Sequence, residues 1–237
     1  MAKAFKKHSQ GEIMSLLTVF TEPQQFFTAL KDKPHFALPF WLLALGTALI
    51  LYLYYQRVDF DWMVDMLLST EKLGPEEMEA ARKGMNREIM SWSSIVLAPL
   101  GMLIAFLLAA VYYLLAGKIA GVQQGFKAWF AFSVWSSAPL LLSTVVALLH
   151  VLTMPTQTLP DALYLTHLDP MLISLPLGHA WRGLSTSVDL LSLWGIALGA
   201  IGWRSWTQSG WAQAIVVASL PSLIIYGAWV VFILATR

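Results

Sequence analysis

The amino-acid sequence predicts an all-α fold: a polytopic membrane protein with five transmembrane helices and amphipathic interfacial helices. Hydrophobic residues make up 57% of the 237 residues and charged residues only 12%, about half the share of roughly 25% in soluble proteins. A helix needs about 20 apolar residues to cross the hydrocarbon core of a bilayer. Four uncharged apolar stretches reach that length, and a fifth is shorter. The five stretches are residues 36–55, 92–117, 128–153, 190–203 and 211–236.

The short fourth stretch needs a separate justification. It reaches Trp206 if Arg204 extends its charged end towards the interface while its aliphatic stem stays in the apolar layer. Tryptophans lie near several ends of the stretches, which is typical of side chains anchored at the membrane interface. These tryptophans are Trp41, Trp92, Trp129, Trp206 and Trp211.

The N-terminal tail contains two amphipathic segments. The first has apolar residues at helical spacing, and Pro23 then fits the first turn of a second helix. The apolar faces consist of Ile13, Leu16, Leu17 and Phe20 in the first segment and Phe26, Phe27 and Leu30 in the second. Apolar faces beside the basic residues of the tail are typical of helices on an anionic membrane surface. Packing of both helices under the transmembrane helices is the alternative, and the two interpretations are compatible.

The predicted organisation is a cytoplasmic amphipathic tail at residues 1–34 and a five-helix membrane domain at residues 35–237. With the N-terminus inside, the connections at 56–91 and 154–189 are extracytoplasmic. Eight Lys and Arg then lie inside, on the shorter connections, and seven lie outside, mostly spread over the two long loops. This distribution favours a cytoplasmic N-terminus and an extracytoplasmic C-terminus. The proline-containing 154–189 connection also carries apolar patches, so we expect it to fold against the helices.

The sequence contains no pattern for catalysis or for a cofactor. It lacks the H-E-x-x-H, G-x-S-x-G, P-loop and G-x-G-x-x-G motifs, and its lack of cysteine excludes thiolate chemistry. His167 and Asp169 lie two residues apart, but loop histidines near aspartates are common by chance. The net charge of +1 gives no reason to expect a nucleic-acid partner. We therefore predict a protein that is not an enzyme and has no catalytic, cofactor or metal site.

The predicted transmembrane helices contain prolines and small residues instead of charges. Pro99, Pro139 and Pro221 fall within the second, third and fifth stretches, where each removes a backbone hydrogen bond and kinks the helix. Gly195, Gly199 and Gly202 form a small-residue face on the fourth stretch, which permits close approach of another helix. That face is predicted either to pack inside the bundle or to bind a partner.

Three segments of the chain together resemble the bacterial branch of the Yip domain family, named for Ypt/Rab-interacting membrane proteins. The first, from Phe20 through Phe26-Phe27 to Pro39, is similar to the family's opening x-P-x-x-F-x-x-L helix. The second runs from Gly121 to the small-residue-proline turn at Pro139. The third runs from Asp189-Leu-Leu-Ser-Leu-Trp194 through Gly202 to Ala214. They occur in the family's order and are distributed between residues 20 and 214.

The resemblance implies five transmembrane helices, a cytoplasmic N-terminus and a non-cytoplasmic C-terminus. Some bacterial relatives accompany ABC exporters of the macrolide-exporter type, so it also implies a multi-pass accessory protein of the bacterial inner membrane. The expected partners are the lipid bilayer and a membrane protein, either an ABC-type exporter or a second copy. The alternative function is a membrane carrier or lipid-handling protein with a path between the kinked third and fifth helices. A polar cavity in the bundle would favour that alternative, and a packed core would favour the scaffold.

Overall fold

The computed structural model describes residues 16–236, and within that range the chain forms helices and no β-strand. The described part of helix α1 covers residues 16–21. The next five helices are α2 (Pro23–Asp32), α3 (Ala37–Arg57), α4 (Phe60–Leu68), α5 (Pro75–Gly84) and α6 (Arg87–Ile119). They are followed by α7 (Phe126–Ser136), α8 (Leu140–Thr153), α9 (Arg182–Ser187), α10 (Leu191–Thr207) and α11 (Trp211–Ala235). A 3-10 helix (Pro160–Leu163) and a π-helix (Asp169–Ile173) lie between α8 and α9.

Long apolar helices confirm a polytopic membrane protein, but the predicted count of five is not reproduced. Three helices in the described part of the chain, α3, α6 and α11, are long and apolar enough to cross a membrane. The pair α7 and α8 meets the same requirement as one span with a bend of 49°, which gives four. Helix α10 has only 17 residues and spans about 26 Å at 1.5 Å per residue, so it does not reach the required length.

The first of two compact units contains residues 16–42, 103–141 and 191–232. It includes α1, α2, α7, α10, most of α11, and parts of α3 and α6. Its interior is aromatic, with Phe27, Trp129, Phe132, Trp135 and Trp203 almost completely buried. These side chains come from α2, α7 and α10, so the core of this unit forms where those three helices meet.

The second unit contains residues 43–102, 142–190 and 233–236. Its core packs buried apolar side chains of α3, α4 and α8, among them Ile50, Met63 and Val151. Local hydrogen bonds define the starts of the short helices. At the start of α4, the Asp59 side chain accepts a hydrogen bond from the Trp62 amide. Pro75 begins α5, where Glu77 accepts from the Gly74 amide at 2.9 Å. The 154–189 connection belongs to this unit and folds onto its helices.

Candidate functional site

The glycine face of α10 is buried inside the first unit. A Cβ added at Gly195 would lie 2.9 Å from the carbonyl oxygen of Ser136, and one at Gly202 would lie 2.7 Å from the Phe132 ring. At Gly199 the nearest atom would be the Cβ of Ala218, at 3.4 Å. At these distances α10 packs closely against α7, α11 and α2. The face is therefore occupied by the protein's own helices and is not open to a partner.

Helix α2 covers the other end of the same face. The Trp206 indole donates a hydrogen bond of 2.7 Å to the carbonyl of Phe27, and the Lys31 ammonium donates one of 3.1 Å to the carbonyl of Trp206. The Phe26 ring lies 4.6 Å from that of Trp135. Phe26 and Phe27 are thus buried against protein, which supports the alternative in which α2 packs under the transmembrane helices.

The first amphipathic segment is less enclosed. Phe20 contacts the Trp194 ring edge-on at 5.1 Å, and Leu16 is partly buried. Leu17 is 61% exposed, and Ile13 lies outside the described residues. Of the described residues of this predicted surface, Leu17 is therefore the one left most open to a membrane or a partner.

An open groove of about 820 Å³ lies beside α2 in the first unit. Its lining combines polar side chains of α2 with apolar ones of α10 and α11. These lining residues are Glu22, Pro23, Gln24, Gln25, Thr28, Ala29, Ile201 and Trp211. We call it the α2 groove. Because Gln24, Gln25 and Thr28 are exposed, it offers hydrogen-bonding groups beside an apolar wall.

A smaller cavity of about 170 Å³ lies where α6, α7, α10 and α11 meet in the first unit. Its polar lining consists of hydroxyls only: Tyr113, Ser133, Ser136, Ser137, Ser192 and Ser222. Ser133 and Ser137 donate to backbone carbonyls one turn back, at 2.9 Å and 3.2 Å. The Ser136 hydroxyl is buried and has no hydrogen-bond partner among the described residues. We call this space the serine cavity.

The three prolines differ in their effect on the helices. Pro139 separates α7 from α8, where four successive amides, those of Ser137, Ala138, Leu140 and Leu141, bond to carbonyls three residues back. Pro99 and Pro221 lie inside α6 and α11, which continue through them. The helix path therefore bends at Pro139, by 49°.

The tryptophans predicted as interfacial anchors fall into two groups. Trp41, Trp92 and Trp211 are more than half exposed, as expected of an anchor. Trp129 and Trp206 are almost fully buried, with ring centroids 4.7 Å apart, and the prediction was wrong for both. The sequence could not separate the groups because all five stand near the ends of apolar stretches.

The polar residues of the 154–189 connection pair with one another. Arg182 donates from Nε to an Asp161 carboxylate oxygen at 2.8 Å, and its Nη1 lies 3.9 Å from an oxygen of Asp169. Asp169 is buried and also accepts from the Ser185 hydroxyl at 2.9 Å. His167 contacts the carbonyl of Thr186 and lies 3.6 Å from Asp189. These groups hold the connection together, and no metal-ligand cluster of three acidic or histidine side chains occurs in residues 16–236.

These features define the class of the protein. It has long helices with large apolar exposed faces, such as those of Leu223 and Val231 on α11, and its buried Asp169 lies 3.9 Å from Arg182. It is an integral polytopic membrane protein in contact with lipid.

Comparison with known proteins then identifies the family. A family model, the Yip1 domain, matches residues 17–232, so the chain belongs to the Yip1 domain family, as its sequence resemblance indicated. The match begins within the predicted tail and includes all four helices that bound the serine cavity. Searches of the curated proteins and of the solved structures give no significant match.

Proposed function

We propose that the protein is a non-enzymatic scaffold or accessory subunit in a bacterial inner membrane. Its partner in this proposal is an ABC-type exporter, which the family resemblance implies. The chain would cross the membrane five times, with its N-terminus in the cytoplasm and its C-terminus outside. Helix α10 would then complete the fourth crossing together with the chain that precedes it.

The close packing of the first unit supports a scaffold over a carrier. Carriers place their substrate between helices near the middle of the membrane, commonly with polar or ionisable groups around it. Here α10 lies against α7, α11 and α2 at three glycine contacts, and the rings of these helices pack together, with Trp129 beside Trp206 and Phe27 beside Phe132. A core filled in this way leaves the outer surface as the means of interaction.

The α2 groove is the surface that we propose for the partner. With the glycine face buried, the N-terminal helices are the remaining candidate of the two surfaces that the sequence suggested. The groove combines exposed amide and hydroxyl groups with the half-exposed Trp211 ring, and Arg204 stacks on that ring at 4.2 Å. Aromatic and arginine side chains are enriched at binding hot spots.

The serine cavity favours the second candidate function, a carrier of small uncharged solutes. It lies beside Pro221 and next to the helix break at Pro139, which is the path expected for a carrier. Its volume of about 170 Å³ is below the roughly 300–1,000 Å³ of typical ligand pockets. A lipid or a drug-sized molecule does not fit into that volume, so the scaffold remains the better-supported function.

A site-specific crosslink tests the scaffold. A photoreactive residue replacing exposed Gln24 is expected to capture an ABC-type exporter subunit in intact cells, and Gln25→Arg should reduce the yield. A photoreactive residue at Glu79, which is exposed on α5, is the matched control and should capture none. Equal capture from both positions would remove the groove from the proposal. If solute uptake by vesicles containing the purified protein is abolished by Ser136→Leu, the carrier is correct instead.

A further inference from the structure

The 154–189 connection follows helix α8 from its C-terminal end back towards its first turn. The carbonyl of Thr156 accepts from the Asp59 amide, and that of Thr158 accepts from the Tyr54 hydroxyl at 2.9 Å. Further along, His150 Nδ1 lies 3.1 Å from the carbonyl of Leu163. These contacts lie at the Arg57 end of α3 and near the Thr153 end of α8.

The next contact lies much deeper along α8. The hydroxyls of Ser143 and Thr166 are 2.6 Å apart, and Ser143 is the fourth residue of α8. Ten residues separate Ser143 from Thr153, which corresponds to about 15 Å of helix. The chain from Leu163 to Thr166 therefore descends beside α8 by about 10 Å, the rise between His150 and Ser143.

Helix α3 gives an independent measure of that depth. Its 21 residues extend about 31 Å, which matches a hydrocarbon core of roughly 30 Å. Gly46, next to the middle residue of α3, approaches Thr144 so closely that a side chain at Gly46 would clash with it. The first turn of α8, and Thr166 with it, therefore lies level with the middle of α3.

Residues 188–190 lie at the same depth, because they bond to residues 166–168. The Leu190 amide donates to the carbonyl of Thr166 at 3.1 Å, and the Leu168 amide donates to the carbonyl of Val188 at 2.8 Å. Helix α10 begins at the next residue, Leu191.

An apolar patch lies on this segment. Met171, Leu172 and Ile173 are 59%, 67% and 46% exposed, and Leu165 is 41% exposed. Leu165 also lines a groove of about 380 Å³ together with Leu149 and Leu152 of α8. The patch therefore adjoins the apolar face that α8 presents to lipid. The nearby charged residues Arg182 and Asp169 are paired and point away from solvent, as membrane-embedded charges require.

We infer that residues 163–190 form a re-entrant segment within the bilayer, and that Leu165 and residues 171–173 contact lipid acyl chains. The segment enters from the side of the membrane where α3 ends at Arg57. Irregular backbone is tolerated at that depth where it bonds within the protein: Thr166 and Leu168 pair with Leu190 and Val188, and the Leu175 carbonyl accepts a hydrogen bond from Arg182. The predicted extracytoplasmic loop 154–189 is then aqueous only in its first part.

Collision measurements with nitroxide labels test this inference, and the chain is suited to them because it has no cysteine. Met171→Cys, Leu172→Cys and Ile173→Cys are each labelled in the full-length protein in phosphatidylcholine–phosphatidylglycerol vesicles. Labels at these positions are expected to collide more with oxygen, which dissolves in the acyl region, than with a water-soluble nickel chelate. Leu149→Cys on the lipid face should behave likewise, and Glu79→Cys should show the reverse.

Two results would overturn the inference. Nickel collisions at residues 171–173 as frequent as those at position 79 would place the patch in water. Shielding from both reagents would mean that protein covers it, which also contradicts lipid contact. Because the three side chains project outwards, their replacement leaves the packed core intact, and three neighbouring positions guard against the failure of one label.

Discussion

The hydroxyl of Tyr112 donates a hydrogen bond of 2.8 Å to the backbone carbonyl of Val217. Val217 lies four residues before Pro221, so its carbonyl is the one that the proline deprives of an amide partner. A side chain of α6 thus satisfies the defect that the proline creates in α11. This bond allows α11 to continue through Pro221 within an apolar layer, where an unpaired carbonyl is costly.

Replacement of this tyrosine is the first prediction. Tyr112→Phe should lower the free energy of unfolding by about 1 kcal/mol, the usual range for a hydrogen bond between membrane helices. Reversible unfolding in mixed micelles measures the change. In a Pro221→Ala background the same substitution should cost less, because the alanine amide then bonds to the Val217 carbonyl. Strictly additive effects of the two substitutions would show that the hydroxyl does not compensate for the proline.

The glycines of α10 give a graded prediction. Gly202→Ala should destabilise the protein by about 1–3 kcal/mol because its methyl group would overlap the rings of Phe27 and Phe132. Gly199→Ala should have a much smaller effect, and Gly199→Leu should cause misfolding. Gly227→Ala, with no neighbouring atom within 4 Å, is the matched control and should be neutral or stabilising by up to about 1 kcal/mol. The measurement is thermal unfolding in detergent, and equal effects at Gly202 and Gly227 would contradict close packing.

The sequence indicated where the apolar helices and the glycine face of α10 lie because both follow from local spacing. It did not predict what that face meets, since Phe27 and Phe132 reach Gly202 from distant parts of the chain. The serine cavity was not predicted. Ser133, Ser136 and Ser137 lie near Pro139 in the sequence, but Ser192, Ser222 and Tyr113 join them only through tertiary packing.

The sequence also could not predict which of the three prolines breaks its helix. All three occupy equivalent apolar contexts, and sequence spacing alone predicts a kink at each. The break occurs at Pro139, where the amides of Ser137 and Ala138 bond to carbonyls three residues back.

Pro139→Ala should straighten the junction and lower stability, with a net effect of about 1–2 kcal/mol because a restored helical bond opposes the loss. A distance measured between labels on α7 and α8 would reveal straightening, and an unchanged distance with unchanged stability would make the proline incidental.

Arg182 takes part in largely buried ion pairs, whereas Arg82 takes part in an exposed one. Arg182 pairs with Asp161 and Asp169, with side-chain exposures of 17%, 29% and 4%, whereas Arg82 and Asp65 are about half exposed. Arg182→Ala should cost about 3–5 kcal/mol because it leaves Asp169 as a buried, uncompensated charge. Arg82→Ala should cost at most about 1 kcal/mol. Asp169→Asn in the Arg182→Ala background should recover part of the loss, and no recovery would show that the carboxylate is not the source of the cost.

The number of membrane crossings is the last prediction. In residues 16–236, helix length and composition support three or four spans, and four would place both termini on the same side of the membrane. The proposed five crossings place them on opposite sides, with the fourth made by the re-entrant segment and α10 together. A reporter active only in the cytoplasm should therefore work at Met1 and fail at Arg237. A second reporter inserted at Gly210, between α10 and α11, should again be cytoplasmic, because α10 ends on the inner side. Activity of the cytoplasmic reporter at both termini would mean an even number of crossings, and the Gly210 position would then show whether α10 or α11 fails to cross.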